Sequence, residues 1–235
     1  HISQRHPKTI WTENEVGEKI VDFKAQTDKS EALFVVRELQ RLIETEACRY
    51  ADCAVFYRTN AQSRIIEDEL RRWKIPYVII GGTRFYDRLE IKDLLAYLTL
   101  VANPHHSLAL KRIINVPNRG IGKTSLEKLE QHAVIQQISL WEALAQAREA
   151  GVGPKTVSEI KNFLSLIDRL KQKIEGKKLS EWVQAVMEDT GYLLALKNEK
   201  TIESLGRIEN LEEFVNVVAE YENTKNQPTL EGFLE

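Results

Sequence analysis

The sequence predicts a mixed fold: an α/β unit on a parallel sheet, followed by an all-helical region. Short apolar runs alternate with helix-spaced apolar positions over the first hundred residues. Beyond Asp87 only the helical period continues. A strand-helix alternation implies parallel pairing with right-handed crossovers, whereas an unbroken helical pattern implies helix-on-helix packing. The chain has 235 residues, 43% of them hydrophobic, which is enough for a substantial core.

Taken in order, Lys19–Lys24 reads as an extended run, followed by a helix in which Leu33, Val36, Leu39, Leu42 and Ile43 recur, with Asp28 or Ser30 as its cap. Cys53–Arg58 has the continuous apolar character of a strand buried on both faces. A helix through Ile65, Ile66, Leu70 and Trp73 leads to a third strand, Pro76–Ile80, which Gly81 and Gly82 terminate. From Asp87 the helical spacing runs through Ile91, Leu94, Leu95 and Leu98 and continues past Asn103-Pro104. The expected units are residues 1–103 and 104–235. Asn223–Pro228 is polar and loop-like, and a further helix starts after it. Three strands make an incomplete sheet, so a piece of a longer protein is expected.

The formal net charge of -2 excludes a protein held to nucleic acid by bulk charge alone. The distribution is uneven. Residues 1–107 carry 16 basic and 16 acidic side chains, 108–178 carry 13 and 7, and 179–235 carry 4 and 12. An anion belongs in the middle segment. Two cysteines, Cys48 and Cys53, are too few for a disulfide framework or a structural zinc site, which fits a reducing cytoplasm. No stretch reaches the roughly 20 apolar residues of a membrane span, and His1–Pro7 lacks the order of a signal peptide.

Two Gly-apolar-Gly turns lie in the basic segment: Gly120-Ile121-Gly122 followed by Lys123, and Gly151-Val152-Gly153 followed two residues later by Lys155. Glycines in such turns let consecutive N–H groups face a phosphate beside the partial positive charge of a helix N-terminus. This is the form of a helix-hairpin-helix, which grips a nucleic-acid backbone without reading bases. The alternative is a pair of close-packed helix corners with solvated lysines. A nucleotide-binding P-loop is excluded at Gly120–Thr124, since Pro117 stands where its first glycine belongs and no strand leads in.

Phe56–Arg64 places a polar cluster at the carboxyl end of a predicted strand and the start of a helix, where open α/β sheets hold ligands. Arg58, Thr59, Asn60 and Arg64 are the phosphate-binding candidates there, against the plainer reading of a helix cap with surface arginines. The carboxylates of Glu67-Asp68-Glu69 and Glu212-Glu213 read as solvated helix faces, not a catalytic pair. His105, His106 and His132 lack companions for a metal site, and no catalytic residue is assigned. Trp11, Trp73, Trp141 and Trp182 fall near apolar positions and read as core.

Tyr57–Arg64, Gly81–Asp93, Ile114–Gly122 and Arg207–Leu211 together resemble the UvrD/PcrA/Rep group of superfamily-one DNA helicases, and its PcrA branch above all. The likeness covers nearly the whole chain in order. It implies that 1–103 is part of a second RecA-like motor lobe (2A) and 104–235 a helical domain inserted into it (2B). It also implies an ATP-dependent 3′ to 5′ helicase as the parent, using ATP and magnesium. The Walker A loop, the magnesium-binding acidic motif and the arginine finger of that group do not occur here, so no cofactor is expected on these residues and the piece alone should be inactive as an ATP hydrolase.

By matching position, Arg58, Thr59 and Asn60 would hold single-stranded DNA, and the Phe85–Asp93 segment would lie at the junction of lobe and insertion, with Arg88 and Lys92 as backbone contacts or structural ion pairs. Gly120, Ile121, Gly122 and Ser125 would touch duplex DNA. Members of the group often carry Thr at the place of Ser125 and a charge at the place of Leu89. Expected partners are single-stranded and duplex DNA, the rest of the helicase chain, and repair or replication proteins, with no membrane. The reading from a different class is a stand-alone helix-hairpin-helix or protein-interaction module, the latter docking through the acidic segment.

Overall fold

Helix α1 (Asp28–Glu44) has Thr27 as its N-cap, not Asp28 or Ser30. The Thr27 hydroxyl accepts from the Ser30 amide at 3.1 Å, and the Ser30 hydroxyl accepts from the Thr27 amide at 3.0 Å, which satisfies two otherwise orphaned donors. The computed structural model describes residues 11–13 and 15–235; the leader reading of His1–Pro7 lies outside the described residues. α2 (Ser63–Arg72) packs on α1. Between them lies a small core of Val36, Leu70 and Ile75, flanked by Leu39, Tyr50, Ile66 and Tyr77.

The three expected strands form no ladder among the described residues: Lys19–Lys24, Cys53–Arg58 and Pro76–Ile80 lie outside any regular element. Ile20 is 98% exposed, Phe56 92% and Ile80 92%. The physical reason is plain. A strand of this apolar type is stabilised by hydrogen-bonded neighbours and by cover on both faces, and a three-residue core between two helices supplies neither. The sequence period reported an intention to be buried that these residues do not fulfil among themselves.

From Phe85 onward the architecture is helical and shares one continuous core. α3 (Leu89–Ala102) runs through its centre, contacting α4 (Ser107–Ile113), α7 (Pro154–Lys173), α8 (Leu179–Asp189), α10 (Ile202–Thr224) and α11 (Leu230–Leu234). It buries Ile91, Leu94, Leu98, Leu100 and Val101 on several sides, together with the carboxylates of Glu90 and Asp93, as a helix contacted by five others does. α5 (Lys123–Gln136) and α6 (Leu140–Ala145) pair at one side, and α9 (Tyr192–Glu199) bridges α8 and α10.

Of the four tryptophans only Trp182 is fully buried, with its indole N–H donating to the Leu170 carbonyl at 2.8 Å. Trp141 is half-buried against the core, while Trp11 and Trp73 are exposed, contrary to the core reading of all four. No helix among the described residues is long and apolar enough to cross a membrane.

Candidate nucleic-acid interface

The first glycine turn joins α4 to α5. Gly120 sits at φ +71, a left-handed conformation that side-chain-bearing residues adopt only with strain. Ile121, 2% exposed, turns inward and pins the bend to the core. The turn's amides divide into two sets. Asn115 Oδ1 accepts from the Arg119 and Ile121 amides at 2.8 and 3.1 Å, and Asn118 Oδ1 from the Gly120 amide at 2.9 Å. Those three donors are consumed internally. The Gly122, Lys123 and Thr124 amides, at the open start of α5, have no acceptor among the described residues and remain for an anion.

Arg119 makes the turn rigid. Its guanidinium donates to the carbonyls of Ile113, Val116 and Pro117 at 3.0–3.3 Å, to Thr190 O at 3.1 Å and to the Tyr97 hydroxyl at 2.6 Å. It also lies over the Tyr97 and Phe163 rings. Tyr97 in turn donates to Val116 O at 2.5 Å. Burial pushes the Tyr97 phenol up to about 12, with Arg119 opposing the shift.

The second turn repeats this backbone between α6 and α7. Gly151 has φ +73, Val152 is buried, and Gly153 is the N-cap of α7. One difference matters: Pro154 occupies the first helical position and brings no N–H. The turns are tied together, because Lys128 on α5 donates its ammonium to the Gly151 carbonyl at 2.8 Å. Lys123 and Lys155 are both exposed beside their turns, and Ser125 is half-buried one turn into α5.

At the other end of the molecule, the Arg58 and Thr59 amides both donate to Gln62 Oε1, at 2.9 and 3.1 Å. This folds residues 58–62 into a tight corner entering α2. The Arg58 guanidinium and Asn60 side chain are exposed, with no partner among the described residues. Arg64 is different. It is 3% exposed and ringed by Glu213 at 2.5 Å, Asp68 at 3.1 Å and Glu220 at 3.6 Å. Burial pulls its pKa down, but the carboxylates outweigh that and the net shift is upward. In this arrangement Arg64 joins α2 to α10 and does not reach the surface beside Arg58.

The segment from Phe85 to Asp93 lies between these ends. Phe85 is buried, and Lys92 forms an exposed ion pair with Asp87 at 2.8 Å. Arg88 donates to Asn210 Oδ1 and Ser63 Oγ, each at 2.7 Å, beneath the Phe85 ring. Burial lowers its pKa, with Glu67 and Glu90 opposing. Ser63 donates to Glu67 at 2.8 Å, and Asn210 donates to Glu90 at 2.5 Å. The Phe85 amide and the Tyr77 hydroxyl donate to Glu67 as well. This buried polar seam connects α2, α3 and α10, and leaves Arg88 and Lys92 with structural partners.

Two readings are therefore corrected. Glu67 is 3% exposed and Glu213 closes on Arg64, so neither belongs to a solvated face. Asn115, Arg119, Lys128 and Asn210 were missed. Asn115 and Arg119 act largely on their own turn, so their position within the recognisable motif could have pointed to them. Lys128 bonds to the Gly151 carbonyl and Asn210 to the Arg88 and Glu90 side chains, partners for which local spacing carries no signal.

The whole chain, residues 1–235, matches the family described as UvrD-like helicase C-terminal domain. It is 43% identical over 232 residues to the ATP-dependent DNA helicase PcrA of Staphylococcus aureus, covering 99% of this chain and 31% of that protein. It is 42% identical over 234 residues to PcrA of Staphylococcus epidermidis, covering all of this chain and 32% of that protein. The chain thus spans about a third of the length of the curated relatives it matches. With its whole length inside one family and these identities to PcrA, the chain belongs to the UvrD-like helicase C-terminal domain family.

Proposed function

We propose that this chain is the part of a PcrA-type, ATP-dependent 3′ to 5′ DNA helicase that grips the nucleic-acid backbone. The observation that carries the proposal is the pair of glycine turns. Each opens a helix within the basic 108–178 segment beside an exposed lysine, and Lys128 bridges them at 2.8 Å. Duplex phosphates meet the Gly122, Lys123 and Thr124 amides and the Lys123 ammonium, with Gly153 and Lys155 as a second point of contact and Ser125 near the first. Single-stranded DNA meets Arg58, Thr59 and Asn60.

Residues 1–103 belong to the second RecA-like lobe, whose strands at 19–24, 53–58 and 76–80 pair within the parent, and residues 104–235 to the inserted domain. The exposure of Phe56, Val78 and Ile80 supports this, since apolar runs of that kind belong in a sheet interior. The polar seam around Arg88 would then transmit movement between lobe and insertion. The residues present do not fit ATP or magnesium. The Gly120–Thr124 turn has no strand leading in and spends its Gly120 and Ile121 amides internally, and no group of three His, Cys, Asp or Glu among the described residues could hold a metal. Nucleotide chemistry is therefore assigned to the parent outside these residues, in the cytoplasm, with repair or replication proteins as partners.

The test is binding of single-stranded, duplex and tailed DNA across a salt series. Affinity is expected to fall steeply with salt, since released counterions drive phosphate contacts. Arg58→Ala should weaken single-stranded binding selectively. Gly122→Val should weaken duplex binding, because Gly122 has φ -77 and open space around its Cβ position, so the fold tolerates the change. Unchanged duplex affinity in Gly122→Val, with an intact circular dichroism spectrum, removes the hairpin assignment.

A further inference from the structure

Cys48 and Cys53 take no part in the features above, yet they are placed against each other. Their Sγ atoms lie 3.4 Å apart, and both are free thiols. The turn between them is held from several sides. Arg49 donates its amide, Nε and Nη2 to the Asp52 carboxylate, each at 3.0 Å, and the Cys53 amide donates to Tyr50 O at 3.2 Å. Upstream, the Ala47 amide closes α1 by donating to Leu42 O. A shallow cleft lined by Ile43, Glu46, Tyr50 and Asp52 opens on Cys48, so a small molecule can reach that thiol.

A disulfide needs its sulfurs at about 2.05 Å, so the two must close by roughly 1.4 Å, within reach of side-chain rotation. A metal is the poorer use of these thiols, because no third ligand completes a site among the described residues. We propose that Cys48 and Cys53 form a reversible dithiol–disulfide modification site, oxidised by a low-molecular-weight disulfide of the glutathione class. The Cys48 thiolate attacks one sulfur of the small disulfide, forming a mixed disulfide and expelling one thiolate. Cys53 then loses its proton to solvent and attacks the Cys48 sulfur, expelling the second. The protein loses two electrons and two protons, and the small disulfide becomes two thiols. The neighbouring thiol and burial push the Cys53 thiol up, which leaves Cys48, the thiol that lines the cleft, as the first nucleophile. Cys53 opens the segment leading to Arg58 and Asn60, so the bridge would tie the approach to that corner onto the end of α1.

The experiment exposes the folded chain to oxidised glutathione, alkylates remaining thiols and digests with trypsin without reductant. Cleavage after Arg49 separates the cysteines unless they are bridged. The expected product is a linked pair of peptides, one carrying Cys48 and one Cys53, which reduction releases. Cys53→Ser should instead accumulate a stable glutathione adduct on Cys48. At a fixed ratio of oxidised to reduced glutathione, the bridged-to-reduced ratio should be at least about tenfold higher for the folded chain than in denaturant. Free alkylated thiols, stable adducts on the unaltered chain, links only between separate chains, or equal bridging in denaturant each overturn the proposal.

Discussion

The two glycine turns share a backbone and differ in what holds it. At Gly120 the bend is locked by Arg119 and Asn115, which reach the turn from within its own sequence. At Gly151 the bend is closed by backbone, the Gly151 and Val152 amides donating to the Arg148 and Ala147 carbonyls at 3.0 Å, and Lys128 adds a bond from outside. Pro154 also interrupts the row of amides at the second turn, whereas Gly122, Lys123 and Thr124 are consecutive donors at the first. One bend can thus be held by side-chain bonds at one turn and by backbone bonds at the other. The difference is set by side chains beyond the glycines.

Arg119→Ala should separate the turns most. It strips charged donors from four carbonyls and the Tyr97 hydroxyl, some of them screened from water, at an expected cost of about 3 kcal/mol in urea unfolding. Lys128→Ala removes one exposed bond and should cost less than about 1 kcal/mol. Equal losses would mean that the first turn is no more rigid than the second.

Alkaline pH should act on the first turn through Tyr97. The Tyr97 phenol keeps its proton to about pH 12 in the folded chain, against about 10 when unfolded. Its folded pKa is raised, so this contribution is complete below about pH 10 and is lost as pH climbs towards 12, up to roughly 2–3 kcal/mol. Tyr86, also pushed up to about 12, and Tyr192, raised by burial and Asp93, add to the slope elsewhere. Tyr97→Phe should flatten part of the decline in the urea midpoint between about pH 10 and 12; an unaltered slope sinks the assignment.

Gly120→Ala and Gly151→Ala form a matched pair. Both glycines have φ near +70, and neither Cβ position meets an atom within 4 Å. Each change should cost about 1 kcal/mol by backbone strain, and the two should agree within measurement error. A much larger loss at one site would mean that the backbones are not equivalent.

Much of the helical architecture was legible because a buried helix writes its period into consecutive turns: Ile91, Leu94 and Leu98 mark α3 directly. Ile121 and Val152 were legible too, as the inward residue between two glycines. Phe56, Val78 and Ile80 have an equally clear apolar signature but no sheet among the described residues, because a strand depends on partners that its own sequence does not name. Arg64 shows the opposite failure. It lies in a polar run at a helix entrance, where phosphate binding and an internal ion pair look alike, and only Glu213, 149 positions away, decides between them.

The finest distinction between the turns lies in their lysines. Lys123 approaches Glu127 at 3.8 Å, while Lys155 has no ion pair among the described residues. An exposed contact of that length adds little stability, so neither Lys123→Ala nor Lys155→Ala should move the unfolding midpoint appreciably. Duplex binding is another matter, because every phosphate neutralised contributes about 0.9 to the slope of log affinity against log salt. Glu127 already offsets part of the Lys123 charge, so Lys155→Ala should reduce that slope by close to one contact and Lys123→Ala by less. Removing Glu127 with Glu127→Gln should restore the full effect of Lys123. If Lys155→Ala leaves the slope unchanged, the second turn makes no phosphate contact, and the repeat reduces to a packing corner beside a single functional hairpin.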